Sequence, residues 1–421
     1  MREIMIGLTA MTAAAIITPS CGGKTSGAEG IPSKTYITVG ADGEFHRGDS
    51  VYRFTGTNFW AAPILGSEGE GGDRQRLHRE LDRLQQAGIN NLRILAGGQG
   101  RRRSECLLQP ALLTAPGQYN DSLLAGLDYV MAELERRGMT AVIYLNNAWE
   151  WSGGYTSFLE WAGEGDTPLP AVESYGEYCD HAAKFLRSDS AKALFADHVA
   201  KIVPRYADSP ALLSWQICNE PRPYGRTPEQ KKLMAEWLLS TARQIKALDA
   251  NHLVSTGSEG SVGCEMDLDL WAEIHAAPEI DYATIHIWPT NWGWVRREEA
   301  TDSVGRAIAM TDDYITEHVA RMKPLRKPVV LEEFGYPRDG QSILPESATL
   351  ARDGYYRHII TRFRDGSSGL SGLNFWAWGG EGIPGKTYTG DPAHEPQGLF
   401  SVFATDSTTI SVISDNIPQT K

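Results

Sequence analysis

Beyond its first twenty residues the chain has no apolar run long enough to cross a bilayer, so no membrane-spanning segment is expected in the mature protein. Positive charge is also short. Lys and Arg number 40 against 53 Asp and Glu, a net charge of −13 over 421 residues. Such a field repels polyanions, so nucleic acid is not an expected partner. The one basic run, 101–103, lies in a Gly-rich stretch and reads as a solvated loop. Cysteine is scarce, five residues with no paired C-x-x-C spacing and no His cluster nearby, which argues against a zinc site. A Gly-x-Gly-x-x-Gly turn after an early strand is missing, which weakens a doubly wound open sheet as the alternative fold. Gly23-Lys24-Thr25 fails as a phosphate loop, because Thr18 stands where the leading glycine is needed. No metal or organic cofactor is implied.

What is present is an ordinary globular composition, 41% hydrophobic and 22% charged. Residues 1–20 have the form of an export signal: Arg2 gives a charged start, and 4–17 is apolar except for Thr9 and Thr12. Thr18-Pro19-Ser20-Cys21 resembles a lipoprotein processing site, with Cys21 as the acylated residue and 21–34 as a flexible tether. The expectation is an exported protein held to a membrane only through that lipid, or secreted if cleavage is ordinary. Of the remaining cysteines, Cys106, Cys179, Cys218 and Cys264, free thiols are expected.

From residue 35 short β-rich runs alternate with longer amphipathic segments, the mark of an α/β domain. Two early segments, 36–40 and 51–54, predict a hairpin covering one end. Eight candidate strands follow, at 56–59, 91–95, 140–145, 212–219, 253–258, 282–286, 329–333 and 372–376. Helical patterns lie between them, clearest at 74–86, 122–137, 191–202, 228–248, 302–322 and 348–364, with Gly88 and Gly138 placed as C-terminal caps. This order predicts a single (β/α)8 TIM barrel over 35–421 with enlarged catalytic-face loops, in which chemistry belongs just beyond the strand C-termini.

Two glutamates stand there. The fourth strand runs into Asn219-Glu220-Pro221-Arg222, and the seventh ends in Glu332-Glu333-Phe334-Gly335. Facing carboxyls across a barrel mouth are what glycosidic cleavage needs: one protonates the leaving oxygen while the other attacks, or activates water to attack, the anomeric carbon. These motifs resemble the acid/base and nucleophile motifs of glycoside hydrolase family five, and the flanking residues resemble its endo-β-1,4-mannanase branch. Thr57-Asn58-Phe59-Trp60, Tyr144-Leu145-Asn146-Asn147, Thr256-Gly257-Ser258-Glu259-Gly260, His286-Ile287-Trp288-Pro289 and Asn374-Phe375-Trp376 support the likeness from about residue 54 to 380.

The resemblance implies a retaining, endo-acting hydrolase of β-1,4-mannan, galactomannan or glucomannan, with Glu220 as acid/base and Glu333 as nucleophile. It further implies that Asn219 bonds the sugar 2-hydroxyl, that Arg93 keeps the nucleophile ionised, that His286 lies in the active site and that Trp376 is the platform under the cleaved sugar. Trp60, Asn146, Arg222, Glu259 and Trp288 are the remaining expected substrate-binding residues, Arg222 and Glu259 being those that would select mannan over cellulose. Either could instead be a structural salt-bridge partner at the barrel rim. Trp149, Trp151, Trp292 and Trp294 also fall in strand-end loops where rings could stack on sugars, whereas Trp215 and Trp237 read as core. Glu332 is expected to point away from the cleft because strand residues alternate. Two departures stand out: Trp288 replaces a tyrosine usual in the wider family, and Asn146-Asn147 replaces a histidine, as is common in the mannanase branch. The competing readings are a β-1,4-glucanase, an exo-acting mannobiohydrolase, a transglycosylating enzyme, and a non-catalytic carbohydrate-binding surface lipoprotein.

Overall fold

The structure, a computed structural model, describes residues 35–100, 107–170 and 173–414. The export signal, Cys21, the tether, the 101–103 run and Cys106 lie outside the described residues.

Eight parallel strands build the central sheet: β1 (Phe54–Asn58), β2 (Asn91–Leu95), β3 (Thr140–Tyr144), β4 (Leu212–Gln216), β5 (Leu253–Ser255), β6 (Ala283–Ile287), β7 (Val329–Phe334) and β8 (Gly372–Phe375). Every residue of these strands is buried, as expected where a parallel sheet has side chains packed on both faces. Ladder order runs β5-β4-β3-β2-β1-β8-β7-β6. Bonds from Asp281 N to Val254 O (2.9 Å) and His286 N to Glu259 O (3.1 Å) stitch β6 to the β5 side. The sheet therefore closes as a (β/α)8 barrel.

Helices fill the crossovers at or near the expected places. The helix Asp121–Arg137 starts on Asn120, whose side chain accepts from Ser122 N and Leu123 N, and ends at Gly138 with φ 67°. The helix Pro228–Leu248 begins with Thr227 as cap and proline in its first turn. Gly88, just past the helix Arg74–Gln86, also has positive φ.

Three expectations change. The N-terminal hairpin is a three-stranded meander, Ile37–Val39, Phe45–Arg47 and Ser50–Val51, while Phe54 belongs to β1. Ile37 and Phe45 of that meander pack with Phe54, Val142, Leu213, Tyr282 and Val330, closing the barrel end opposite the strand C-termini. The regular ladder of β4 stops at Gln216 and that of β5 at Ser255, yet pairing continues: Ile217 N bonds Ser255 O, Cys218 N bonds Thr256 O and Glu220 N bonds Gly257 O. Third, strict alternation fails in β7. Leu331 pairs with Ile285 but Glu333 pairs with His286, leaving Glu332 as the extra residue of a bulge.

Candidate active site

That bulge decides which carboxyls meet. Glu332 points into the barrel interior, where its Oε2 lies 3.8 Å from Arg93 and accepts from Gln216. Without the extra residue the next side chain would face the outer helices, as Leu331 does; with it, Glu333 also turns toward the barrel axis. Alternation predicts Glu332 turned away; the bulge instead leaves it facing the barrel interior beneath the cleft, where it sets a second carboxyl beside the guanidinium behind Glu333.

Arg93, at the middle of β2 and fully buried, organises the floor. Its Nη1 donates to Glu333 Oε1 at 2.5 Å and to Asn58 Oδ1 at 3.0 Å. Its Nη2 donates to Asn219 Oδ1 at 2.8 Å and its Nε to Gln216 Oε1 at 2.9 Å. A buried cation needs this many acceptors, since an unpaired one would be too costly. Asn219 in turn donates to Asn147 Oδ1 at 3.1 Å, and its own backbone N bonds Asn146 O at 2.8 Å.

Glu220 lies across from Glu333 and adopts a left-handed backbone conformation, φ 51°, one that a non-glycine residue holds only where its surroundings fix it. Its Oε1 is 2.8 Å from His286 Nδ1, and its Oε2 accepts from Trp149 Nε1. His286 Nδ1 is also 3.4 Å from Glu333 Oε2, so the ring sits between the two carboxyls. One oxygen of each glutamate and one ring nitrogen of His286 all fall within 4.8 Å of one another. Such a triad has the donors for a cation, but the Arg93 charge already engages Glu333.

Burial sets the protonation. It pushes Glu220 up from the usual carboxylate range, against the pull of Arg222, Trp149, Arg93 and Trp288. Burial also raises Glu333, well above that range, with Arg93 opposing and Glu220 adding repulsion. Two such neighbours titrate as a unit and hold one proton between them. Arg93 bonds Glu333 and not Glu220, so the charge belongs on Glu333 and the proton on Glu220. Burial drives His286 well below 6.5, keeping the imidazole neutral.

Above the pair opens a cavity of about 600 Å³ whose walls include Trp149, Arg222, Glu259, Trp288, Trp376 and Glu395. Arg222 and Glu259 form a two-pronged ion pair, both bonds 2.6 Å, and both line the cavity. The salt bridge is present, and it stands in the cavity wall rather than away from the cleft. Arg222 also lies over the Trp149 ring at 5.0 Å. Trp288 packs edge-on against Trp376 and Phe400, and its indole helps to lower the Glu220 carboxyl.

Not every expected residue reaches this wall. Trp60 is tied behind it, donating from Nε1 to Gly390 O at 2.8 Å and packing on Trp151. Asn146 is buried under the rim, its Oδ1 accepting from Asn147 N. Arg93 and His286 support the carboxyls from behind. Trp151 and Trp292 line the cavity; Trp294 packs on Trp292 and Tyr314 instead, while Trp215 and Trp237 are core. Cys179, Cys218 and Cys264 are free thiols. Sequence reading missed Gln216, whose polar side chain on the inward face of an otherwise apolar strand was the available signal, and also His394 and Glu395, for which no local pattern existed.

Comparison with known proteins agrees with this geometry. The family described as glycoside hydrolase family 5 β-mannosidase-like matches residues 34–420. Mannan endo-1,4-β-mannosidase 1 of Solanum lycopersicum is 26% identical over 80% of this chain and 81% of its own length. The crystal structure of a glycoside hydrolase family 5 mannosidase from Rhizomucor miehei superposes with TM-score 0.83 at 32% identity, covering 91% of this chain and 97% of that one. The endo-1,4-β-D-mannanase of Thermotoga petrophila shares the fold, with TM-score 0.66 at 22% identity over 86% of this chain and 99% of that one. The chain belongs to the β-mannosidase-like group of glycoside hydrolase family 5 and is a glycoside hydrolase.

Proposed function

We propose that the enzyme hydrolyses β-1,4-mannosidic bonds of mannan-type chains with retention, through a glycosyl-enzyme on Glu333. The observation that carries this is the spacing and asymmetry of the pair. One oxygen of Glu220 and one of Glu333 come within 4.8 Å of each other, a close approach that favours the retaining arrangement, whose carboxyl groups stand about 5 to 5.5 Å apart, over the inverting one at roughly 6.5 to 9.5 Å. In the first step Glu220 gives its proton to the leaving oxygen while Glu333 bonds to the anomeric carbon. Glu220, now a carboxylate, then takes a proton from water, whose oxygen displaces Glu333 and restores both groups.

Asn219, oriented by Arg93 and Asn147, is assigned to the sugar 2-hydroxyl and Trp376 to the face of the cleaved sugar. The Arg222–Glu259 pair and Trp288 complete the surroundings of Glu220. The relatives named mannan endo-1,4-β-mannosidases support mannan over other β-glycans as the substrate class.

Two measurements test this together. Proton NMR during early turnover of mannooligosaccharide should show the β-anomer appearing first. Glu333→Ala should lose activity by more than about 10⁴-fold and recover part of it with azide, giving an α-mannosyl azide from an activated aryl mannoside. An α-anomer appearing first, or a Glu333→Ala enzyme as fast as wild type, would overturn the assignment.

A further inference from the structure

Away from the cleft, the loops after β2 and β3 and the helix Asp189–Tyr206 enclose a second cavity, of about 340 Å³. Its walls include Tyr119, from a short hairpin after β2, and Phe158 and Trp161, from the helix Gly154–Trp161 after β3. Leu194, Asp197 and Lys201 of the helix Asp189–Tyr206 complete them. Asp197 and Lys201 are exposed, so the cavity opens to solvent. None of these residues takes part in the reaction proposed above. A concave space of this size, lined by aromatic rings with a few polar groups, has the make-up of a ligand site.

The aromatic walls are held in place. His198 Nε2 donates to Ala96 O at 2.9 Å, and its Nδ1 lies 3.0 Å from Tyr119 Oη. Burial drops His198 to about 4, so the imidazole is neutral, its Nδ1 accepts and Tyr119 is the donor. These two rings stack 18° from parallel, and Trp161 meets Phe158 edge-on at 5.6 Å. Asp197 and Lys201 stand four positions apart on one helix and therefore share a face. Among the described residues neither joins an ion pair; Lys201 Nζ lies 5.8 Å over the Tyr119 ring instead. One free charge of each sign beside fixed aromatic rings suits a neutral polyol. Its C–H faces pack on the rings while its hydroxyls donate to the carboxylate and accept from the ammonium. A charged ligand would meet a like charge there.

We propose that this cavity is a second, non-catalytic glycan site, which holds a stretch of the same β-mannan chain away from the cleft. The inference rests on the mannoside reading above and extends it to how the polymer is retained. One helix links the two sites. The turn before it carries Trp151 in the cleft wall, its last residue is Trp161, and its eight residues span about 12 Å. A short sugar occupies either site alone. A long chain engages both, and its second contact is then intramolecular, which tightens binding to the polymer without any change in the cleft.

Adsorption to insoluble mannan tests this in the wild-type enzyme, Trp161→Ala and Asp197→Ala. Thermal melting checks that Trp161→Ala is folded, and Asp197, being exposed, is replaced without disturbing the core. Each variant should adsorb about fivefold more weakly or worse and degrade insoluble mannan more slowly to match, while kcat/KM on an aryl β-mannoside, which fills only the cleft, stays at the wild-type value. Mannan cleavage with adsorption that Asp197→Ala leaves at the wild-type level would overturn the second site and leave the mannoside reading intact. An equal fall on mannan and on the aryl mannoside would place the effect in the cleft and overturn the second site as well. Cleavage and adsorption of cellulose in place of mannan would overturn the mannoside reading, and the occupant with it.

Discussion

Arg93 is the residue through which the proposed catalytic pair becomes unequal. It bonds Glu333 at 2.5 Å, and it holds Asn219 by the next nitrogen. Its charge lies beside one carboxyl and farther from the other, which is how two chemically identical groups receive opposite tasks. Replacing it with lysine keeps a charge but breaks the fork that serves Glu333, Asn58, Asn219 and Gln216 at once. The cation then stabilises ionised Glu333 less, so that carboxyl titrates at higher pH. Because the proposed mechanism needs Glu333 ionised, the acid limb of the kcat/KM profile of Arg93→Lys should move to higher pH, with activity lost most at the acid end. A limb left in place, with a uniform fall in rate, would mean that Arg93 only shapes the floor.

At the level of strands, activity depends on how two ends are held together. Gly257 follows β5 with φ 80°, and a Cβ there would fall 2.0 Å from Cys218 O, on the backbone that leads into Glu220. Its own carbonyl accepts from Glu220 N at 2.9 Å. Gly257→Ala must therefore spread the ends of β4 and β5 and shift Glu220, the proposed acid/base. A loss of at least about tenfold in kcat and on the order of 1–3 kcal/mol in stability is expected, read from kinetics and thermal melting. This is also the scale at which the sequence was most legible. Short β-branched runs bounded by capped helices gave eight strands in the right places, since parallel strands buried on both faces leave little choice of residue. Glu220 and Glu333 were legible because polar residues at the end of an apolar strand have few structural uses. The β7 bulge was not, since register depends on the neighbouring strand: nothing in Val-Val-Leu-Glu-Glu-Phe says which glutamate is the extra one. Likewise Glu395 lies 62 positions beyond Glu333 in a stretch with no periodicity, and its place at the cleft follows from the tertiary ties of Trp60, Tyr388 and Trp151.

For the whole molecule, a site crowded with buried carboxyls carries a stability cost that depends on pH. Glu150 shows it most cleanly, being 2% exposed between two cleft tryptophans, with Oε2 unpartnered and no cation bonded to it among the described residues. Burial raises it to about 7 from an unfolded value of 4.5. Below the unfolded value both states hold the proton and the group is neutral to folding. Between 4.5 and about 7 only the folded state keeps it, so stability falls as pH rises, and above that range the full cost is present. At about 1.4 kcal/mol per pKa unit, the cost at pH 8 is on the order of 3 kcal/mol before local relaxation reduces it. Glu150→Gln removes the charge and keeps the shape, so it should melt several degrees above wild type at pH 8 and together with it near pH 4.5. The comparison needs only thermal melts of the two proteins across that range. A gap equal at both ends would mean the gain comes from packing, and a gap that closes toward acid would trace it to the ionised carboxyl.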